Sequence, residues 1–397
     1  MTSPITIQVA TSIAAIPAAD WDLCANPPAP ATDGAADRSG ERFNPFLAHA
    51  FLKALETSGT VGGRTGWSPA HVTVHEAGRL VAAAPTYIKT HSQGEYVFDH
   101  SWAEAYSRAG GRYYPKLQVA VPFTPATGRR FLVAPGQDTE ALHAALAAGL
   151  RALRKEVKAS STHATFLTKA EWDSFGALGW LQRTDQQFHF VNEGYAGFDD
   201  FLAALASRKR KNIRKERKDA LGEGITIEQL TGSDIREDHW DAFYAFYMDT
   251  GSRKWGRPYL NRRFFSEIGA AMADRILLVM AKRAGRYVAG AINFIGDDAL
   301  YGRNWGCIEE HPFLHFEVCY YQAIDFALAR GLKRVEAGAQ GEHKLARGYR
   351  PTTTYSVHDI ADSRLAAAIG DYLDHERAYV ESAVEQLGEH LPFRHED

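Results

Sequence analysis

The chain has 397 residues, 45% hydrophobic and 23% charged, with a formal net charge of −3. That length accommodates two or three domains with sizeable cores, and the near-neutral balance excludes a wholesale polyanion binder but not a local basic patch. Cys24, Cys307 and Cys319 form neither a metal-ligand spacing nor a disulfide framework, which suits a reducing cytoplasm. No positive region followed by an apolar run opens the sequence, so no signal peptide is expected, and no run of about 20 apolar residues predicts a membrane span. The aromatic content of 12% fits large cores or an apolar ligand channel.

Ala25 to Gly40 is rich in Pro, Ala, Gly and Asp and reads as a loop. Asn44-Pro45-Phe46 opens a capped amphipathic helix reaching Leu55. Strand-like alternation follows over His71–Glu76, Leu80–Lys89 and Glu95–His100. Further on, Ala284-Gly285-Arg286-Tyr287-Val288-Ala289-Gly290-Ala291 repeats Ala77-Gly78-Arg79-Leu80-Val81-Ala82-Ala83-Ala84 at an offset of 207 residues.

The flanks of the repeat agree in type, with Val72-Thr73-Val74 before one hairpin and Leu277 to Ala281 before the other. Each hairpin leads to a third strand ending near a tryptophan, Trp102 or Trp305. A helix and a short strand come next, Thr139–Lys158 with Thr162–Thr168 in the first half and His315–Arg330 with Lys333–Ala337 in the second. This predicts two similar α/β domains, each a mostly antiparallel meander followed by a helical crossover. We expect an N-terminal strand and loop over 1–40, a first domain over 41–194 and a second over 195–397. The first half carries an extra segment, Arg108 to Phe131, and the chain ends in a helical pattern from Asp362 to Leu387.

Three constellations could carry chemistry. Gly338-Ala339-Gln340-Gly341-Glu342-His343-Lys344-Leu345-Ala346-Arg347-Gly348-Tyr349 gathers a carboxylate, an imidazole, an ammonium and a guanidinium at the end of a strand, with glycines that allow tight turning. The first half has no matching Gly-Glu-His-Lys run. His315 and Glu317 sit at the start of the preceding helix, where the macrodipole favours carboxylates and phosphates. If the strand Lys333–Ala337 lies beside that helix start, Glu317, Glu336, Glu342 and His343 share one cleft able to deprotonate an amine. The bland alternative is a polar surface turn beside a helix-start charge.

The second constellation is the basic helix Ser207 to Lys218, with eight cations from Arg208 on. It reads either as a solvated face or as a seat for cofactor phosphates, RNA backbone or anionic lipid. The third is Tyr113-Tyr114-Pro115-Lys116. It either lines a substrate channel, with Lys116 pairing an anionic group, or is a buried strand start with Lys116 snorkelling out. No Walker phosphate loop, dinucleotide fingerprint, zinc signature or nucleophile elbow is present. Cys307 and Cys319 read as core residues.

His311-Pro312 through Glu317, and Glu336 through Arg347-Gly348, resemble the signature of the FemAB-like predicted N-acyltransferases of proteobacteria. Asn44-Pro45-Phe46-Leu47, His91-Ser92-Gln93-Gly94-Glu95-Tyr96-Val97-Phe98-Asp99 and Tyr114-Pro115-Lys116-Leu117-Gln118 match as well, so the resemblance runs from about residue 40 to 390. It implies an α/β chain of two tandem GNAT-like domains, each a mixed, mostly antiparallel sheet flanked by helices. The activity it implies is transfer of an acyl group from an activated carrier to an amine. Peptidoglycan-branching relatives use aminoacyl-tRNA, whereas members resembling bacterial ceramide synthases use long-chain acyl-CoA to acylate a sphingoid base.

The Arg/Gln-x-x-Gly-x-Gly/Ala pyrophosphate loop of ordinary GNAT enzymes is missing from this sequence. That departs from conventional CoA binding, and the basic helix would either replace the loop for CoA phosphates or serve tRNA. The expectation is fatty acyl-CoA as co-substrate with a lipid-like amine as acceptor, no bound cofactor and no metal. Aminoacyl-tRNA acting on a peptidoglycan precursor, or a non-catalytic cell-envelope binding module, are the alternatives. On this reading Glu342, His343, Glu317 and Lys344 are catalytic. Arg208, Lys209, Lys211, Arg214, Lys215, Gly338, Gly341 and Arg347 hold the donor, and Tyr114, Lys116, Trp102, His315 and Trp305 meet the substrate. A cytoplasmic place with peripheral contact at the inner membrane would suit a lipid acceptor.

Overall fold

A computed structural model describes residues 4–28, 43–254, 258–338 and 341–394, without the side chains of Glu223, Lys254 and Glu342. Most of the expected loop between Ala25 and Gly40 lies outside the described residues. The strands are β1 Ile5–Ala10, β2 Trp67–Pro69, β3 His71–Glu76, β4 Arg79–Ala84, β5 Thr86–Lys89, β6 Lys116–Val119, β7 Leu132–Val133, β8 Ser161–Leu167, β9 Leu181–Val191, β10 Ile225–Thr231, β11 Ile276–Arg283, β12 Arg286–Ile295, β13 Ala299–Cys307, β14 Arg334–Glu336 and β15 Arg350–Ile360. The helices are α1 Ala18–Ala25, α2 His49–Thr57, α3 His100–Arg108, α4 Thr139–Glu156, α5 Lys169–Ala177, α6 Phe198–Ala204, α7 Ser207–Ala220, α8 Glu237–Lys254, α9 Arg262–Met272, α10 Leu314–Phe316, α11 Gln322–Ala329 and α12 Ser363–Gly388.

The chain forms two compact units. One comprises Met1–Asp185 with Thr353–Ser382, and the other Gln186–Thr352 with Ala383–Asp397. In the first, β1, β3, β4 and β7 form one sheet. Strands β2, β5 and β6 run antiparallel, β6 pairs parallel with β8, and β8 pairs antiparallel with Tyr355–Ile360 of β15. In the second unit β10, β11, β12 and β13 are antiparallel neighbours. Strand β14 runs parallel to β13 and antiparallel to His189–Val191 of β9. Each unit has its own apolar core, around Val72, Leu117, Leu146 and Phe175 in the first and Leu277, Leu300, Ile324 and Val335 in the second.

The 207-residue repeat holds down to backbone detail. Ala77 and Gly78 turn with φ of 49° and 78°, and Ala284 and Gly285 with 49° and 77°. Two successive positive φ values make the tight hairpin turn whose twist matches that of the strands. Both hairpins carry a bulge at the same step, after Val74 in one and after Ala281 in the other. The later elements repeat at a second constant offset, 173 residues. It separates the ends of α4 and α11 (Glu156, Ala329), the starts of β8 and β14 (Ser161, Arg334), and the starts of α5 and the 3-10 turn Glu342–Arg347 (Lys169, Glu342). The Gly338 to Tyr349 stretch therefore has a counterpart in the first unit, the helix α5, although no residue motif marks it.

Several expectations change. Leu80–Lys89 is not one strand: Pro85 has no N–H to give a ladder, so β4 and β5 part there and join different sheets. The repeat places Pro85 opposite Ile292, where β12 stays whole but bulges. Glu95–His100 forms no strand, and Trp102 lies on α3 instead of at a strand end. The segment from Asn44 begins as a 3-10 turn, Pro45–Leu47, capped by the Asn44 side chain, before α2 starts at His49.

Candidate active site

The site lies in the second unit, where two parallel strands part. Strands β13 and β14 pair only over Ala299 to Tyr301 and Arg334 to Glu336. Strand β13 then runs on to Cys307, while the chain leaves β14 and turns at Gly338 with φ of 79°. Between them opens a cavity of about 90 Å³, lined by Asn293, Gly302, Trp305, His315, Cys319 and Tyr320 among others. Cys319, expected in the core, is half-buried at this cavity, and Cys307 is half-buried too.

The wall opposite the strands is an interrupted helix. Phe313 adopts φ of 62° before α10, and a single π turn, Glu317–Tyr321, separates α10 from α11. Such insertions recur at functional sites because they re-aim side chains along an otherwise regular helix. Here His315 packs edge-on to Trp305 with ring centroids 5.2 Å apart, and to Tyr320 at 5.4 Å. The Tyr320 hydroxyl lies 2.9 Å from His343 Nε2.

His343 stands on the 3-10 turn Glu342–Arg347. Gly341 precedes it with φ of 118°, and a Cβ there would lie 2.5 Å from the imidazole Cε1, so only glycine leaves room for the ring. Partial burial, then the Arg347 and Lys344 charges, lower the His343 pKa and favour a neutral imidazole. Lys344 is 1% exposed and donates to the Gly338 carbonyl at 3.0 Å. Burial pulls its ammonium down to about 8. Ala339, Gln340 and the Glu342 side chain lie outside the described residues.

The expected convergence of Glu317 and Glu336 on this cleft does not occur. Glu317 is fully buried, and its carboxylate accepts from Arg217 at 2.9 and 3.1 Å and from Gln322 at 2.8 Å. Glu336 is held by Arg334 at 3.0 Å. Arg347, expected to hold the donor, is 6% exposed, and its guanidinium bonds the Glu216 carboxylate at 3.0 and 3.1 Å and the His343 carbonyl at 2.8 Å.

On α7 the cations divide. Ile213 is buried, and Glu216 and Arg217 are half-buried toward the π turn and the 3-10 turn. Arg208, Lys211, Arg214 and Lys215 are exposed, and Lys209 is half-buried. Arg208, Lys211, Lys215 and Lys218 follow one helical face at i, i+3, i+7 and i+10. Arg214 approaches Asp199 at 3.4 Å, while among the described residues no carboxylate pairs with Arg208, Lys211 or Lys215.

The remaining expected substrate residues, Tyr114, Lys116 and Trp102, belong to the first unit. Lys116 does not snorkel. It is fully buried and donates to Ser92 at 2.8 Å, to Glu95 at 2.7 Å and to Asp99. Tyr114 reaches Ser92 at 2.8 Å, and Trp102 packs edge-on to His358. Sequence reasoning missed Tyr320 and Glu216. The first is 23 residues from its partner His343 and the second 131 from Arg347, so no local pattern could have joined them.

Two tandem GNAT-like α/β units, with a cleft where parallel strands part, define the class of this protein. FemX aligns with a TM-score of 0.52 at 12% identity, over 84% of this chain and 96% of that one. The C-terminal domain of a putative lysylphosphatidylglycerol synthetase from Agrobacterium fabrum aligns with a TM-score of 0.53 at 9% identity, over 89% and 96%. At such identities the likeness is one of fold. No curated protein sequence matches the chain. Residues 12–395 match the FemAB-like family, described as peptidoglycan biosynthesis/recognition, and the chain belongs to that family. Family and fold together support acyl or aminoacyl transfer as its chemistry. Among the described residues there is no group of three His, Cys, Asp or Glu side chains able to hold a metal ion, and no helix long and apolar enough to cross a membrane.

Proposed function

We propose that the second unit forms an amide by moving a fatty acyl group from acyl-CoA to the primary amine of a lipid-like acceptor, as in bacterial ceramide synthesis. The observation that carries this reading is the Tyr320–His343 contact beside the cavity between β13 and β14. The neutral His343 imidazole takes a proton from the acceptor ammonium, and the freed amine attacks the thioester carbonyl. Lys344 stabilises the oxyanion. Collapse breaks the carbon–sulfur bond, and the CoA thiolate leaves with a proton supplied by Tyr320, which His343 restores. The second proton of the attacking nitrogen passes to water as the amide forms. Glu342 is the second candidate for the base. The exposed cations of α7, Arg208, Lys211, Arg214 and Lys215 with Lys209, hold the donor phosphates, and the Gly338 and Gly341 turn offers backbone amides. His315 and Trp305 flank the reacting carbonyl. A lipid acceptor would be collected at the inner membrane, and the likeness to part of a putative lysylphosphatidylglycerol synthetase is in keeping with it.

A second reading, aminoacyl-tRNA acting on a peptidoglycan precursor, is favoured by the family's description and by the cationic face of α7. Purified protein given labelled palmitoyl-CoA and sphinganine should yield a labelled amide that His343→Ala does not make. If the label instead passes from aminoacyl-tRNA to a muramyl peptide, with binding that weakens steeply in salt, the second reading holds.

A further inference from the structure

On the sequence reading Arg347 holds the acyl donor. Its surroundings assign it other work. Its guanidinium is 6% exposed and sits between two anchors, the Glu216 carboxylate of α7 and the His343 carbonyl of its own turn. It also lies 3.4 Å from the ring centroid of Phe316, and Phe316 packs on the His343 ring at 5.7 Å. Glu216 in turn accepts a hydrogen bond from Tyr321, the neighbour of Tyr320 on the π turn. The two residues that make the catalytic contact, Tyr320 and His343, are thus each one step from Glu216. One route runs through Tyr321, and the other through Arg347.

Charge-assisted hydrogen bonds of this kind are roughly twice as strong as neutral ones, and a cation over an aromatic face adds to them, more so when water is excluded. The clamp therefore has the strength to fix a short turn whose N-cap, Gly341, supplies no side-chain hydrogen bond. The Arg347 Nε–H is buried without a partner among the described residues, so what keeps a donor phosphate away is burial. The guanidinium presents almost no surface, and its outer nitrogens are already engaged.

We infer that Glu216 and Arg347 are positioning residues, which hold the His343 imidazole against the Tyr320 hydroxyl and do not bind the donor. The role of His343 rests on the proposed function, but the clamp can be tested without any substrate. The groups facing His343 are His315 and Tyr320 across the cavity mouth and Lys344 and Arg347 on its own turn.

The test uses the full chain and three variants, Glu216→Gln, Arg347→Lys and Arg347→Met, each checked for an unchanged thermal unfolding midpoint. The His343 Cε1–H resonance is titrated by NMR, assigned through its loss in His343→Ala. Arg347→Met should raise the His343 pKa, because a neighbouring cation is gone. Arg347→Lys keeps the charge but cannot span both anchors, so it should broaden the resonance into more than one environment. In turnover, Glu216→Gln and Arg347→Lys should lower kcat about tenfold and leave the KM for the acyl donor unchanged.

A titration in Arg347→Met identical to wild type would overturn the inference. So would a raised donor KM at constant kcat in Arg347→Lys. If every form is inactive on both donors while the titration shifts as expected, the proposed reaction fails and the clamp stands.

Discussion

Tyr320 and His343 meet at 2.9 Å although they lie on different elements, a π turn and a 3-10 turn. The contact joins a phenol to an imidazole that burial and two neighbouring cations keep neutral. Removing either partner should separate their roles. His343→Ala should lower kcat by about 10²–10⁴, the range of a lost general base. Tyr320→Phe should cost less, about tenfold, and mainly in kcat. Steady-state rates of amide formation check both, and a His343→Ala variant with full activity would move the base to Glu342.

The pH profile follows from two shifts. The imidazole must be neutral to take a proton, so the rate should rise with pH through the His343 pKa, which lies below its ordinary 6.5. Lys344 must stay protonated to meet the oxyanion, so the rate should fall above about 8, where burial places its ammonium. The plateau should therefore lie between a point below 6.5 and about 8. Lys344→Met should flatten the alkaline limb and move the acid limb to higher pH, because a cation beside His343 is gone. The readout is kcat/KM against pH at constant ionic strength.

Gly341 should be intolerant for a local reason. At φ of 118° an alanine is strained, and its methyl would meet the imidazole at 2.5 Å. Gly341→Ala should lower kcat at least about tenfold, equivalent to ~1.4 kcal/mol of barrier, by displacing His343. Thermal unfolding should change little, because the turn is a small part of the unit. Wild-type turnover in this variant would show that the His343 orientation does not matter.

Lys116 should matter for stability. Lys116→Met leaves Asp99 buried without its cation and Glu95 with Lys89 alone at 3.7 Å, and should cost about 3–5 kcal/mol, read by denaturant unfolding at pH 7. Burial alone would raise the Asp99 pKa, but the Lys116 charge outweighs it and holds the carboxylate well below its usual range. A depressed carboxylate contributes stability that is present at neutral pH and lost as pH falls through its folded value. Burial already pushes Glu95 up to about 7 in the wild type, so the change in the variant falls on Asp99. It loses the hold of Lys116 and takes up a proton more readily, and the gap from wild type should narrow on acidification. A gap that widens in acid would contradict this account.

Much of this was legible in the sequence because some residues have few uses. Ala77-Gly78 and Ala284-Gly285 mark one kind of turn, and the strands around them followed in register. The sequence left open whether the stretch at Gly338 lies beside the helix start at His315; the rings of His315 and His343 stand 6.3 Å apart, and His315 and Trp305 line one cavity. What failed was charge bookkeeping at a distance. Glu317 reads as a free carboxylate until Arg217, 100 residues earlier, is seen to hold it. Glu216 was hidden inside a run of cations whose outer members dominate the composition. The 173-residue match was invisible because the paired stretches share a backbone position and almost no side-chain chemistry.

That match has a consequence for how the two halves diverged. In the first unit, Thr168 and Glu171 close the start of α5 with a reciprocal capping box. At the corresponding positions of the second unit stand Gly341 and Lys344, and the turn begins with no side-chain cap. A capping residue lost to alanine costs a helix about 0.5–2 kcal/mol. One unit thus has a self-satisfied helix start, and the other an open turn carrying His343 and Lys344. Substituting Thr-Lys-Ala-Glu at 341–344 would carry the first unit's cap into the second, giving a sturdier and inert second half.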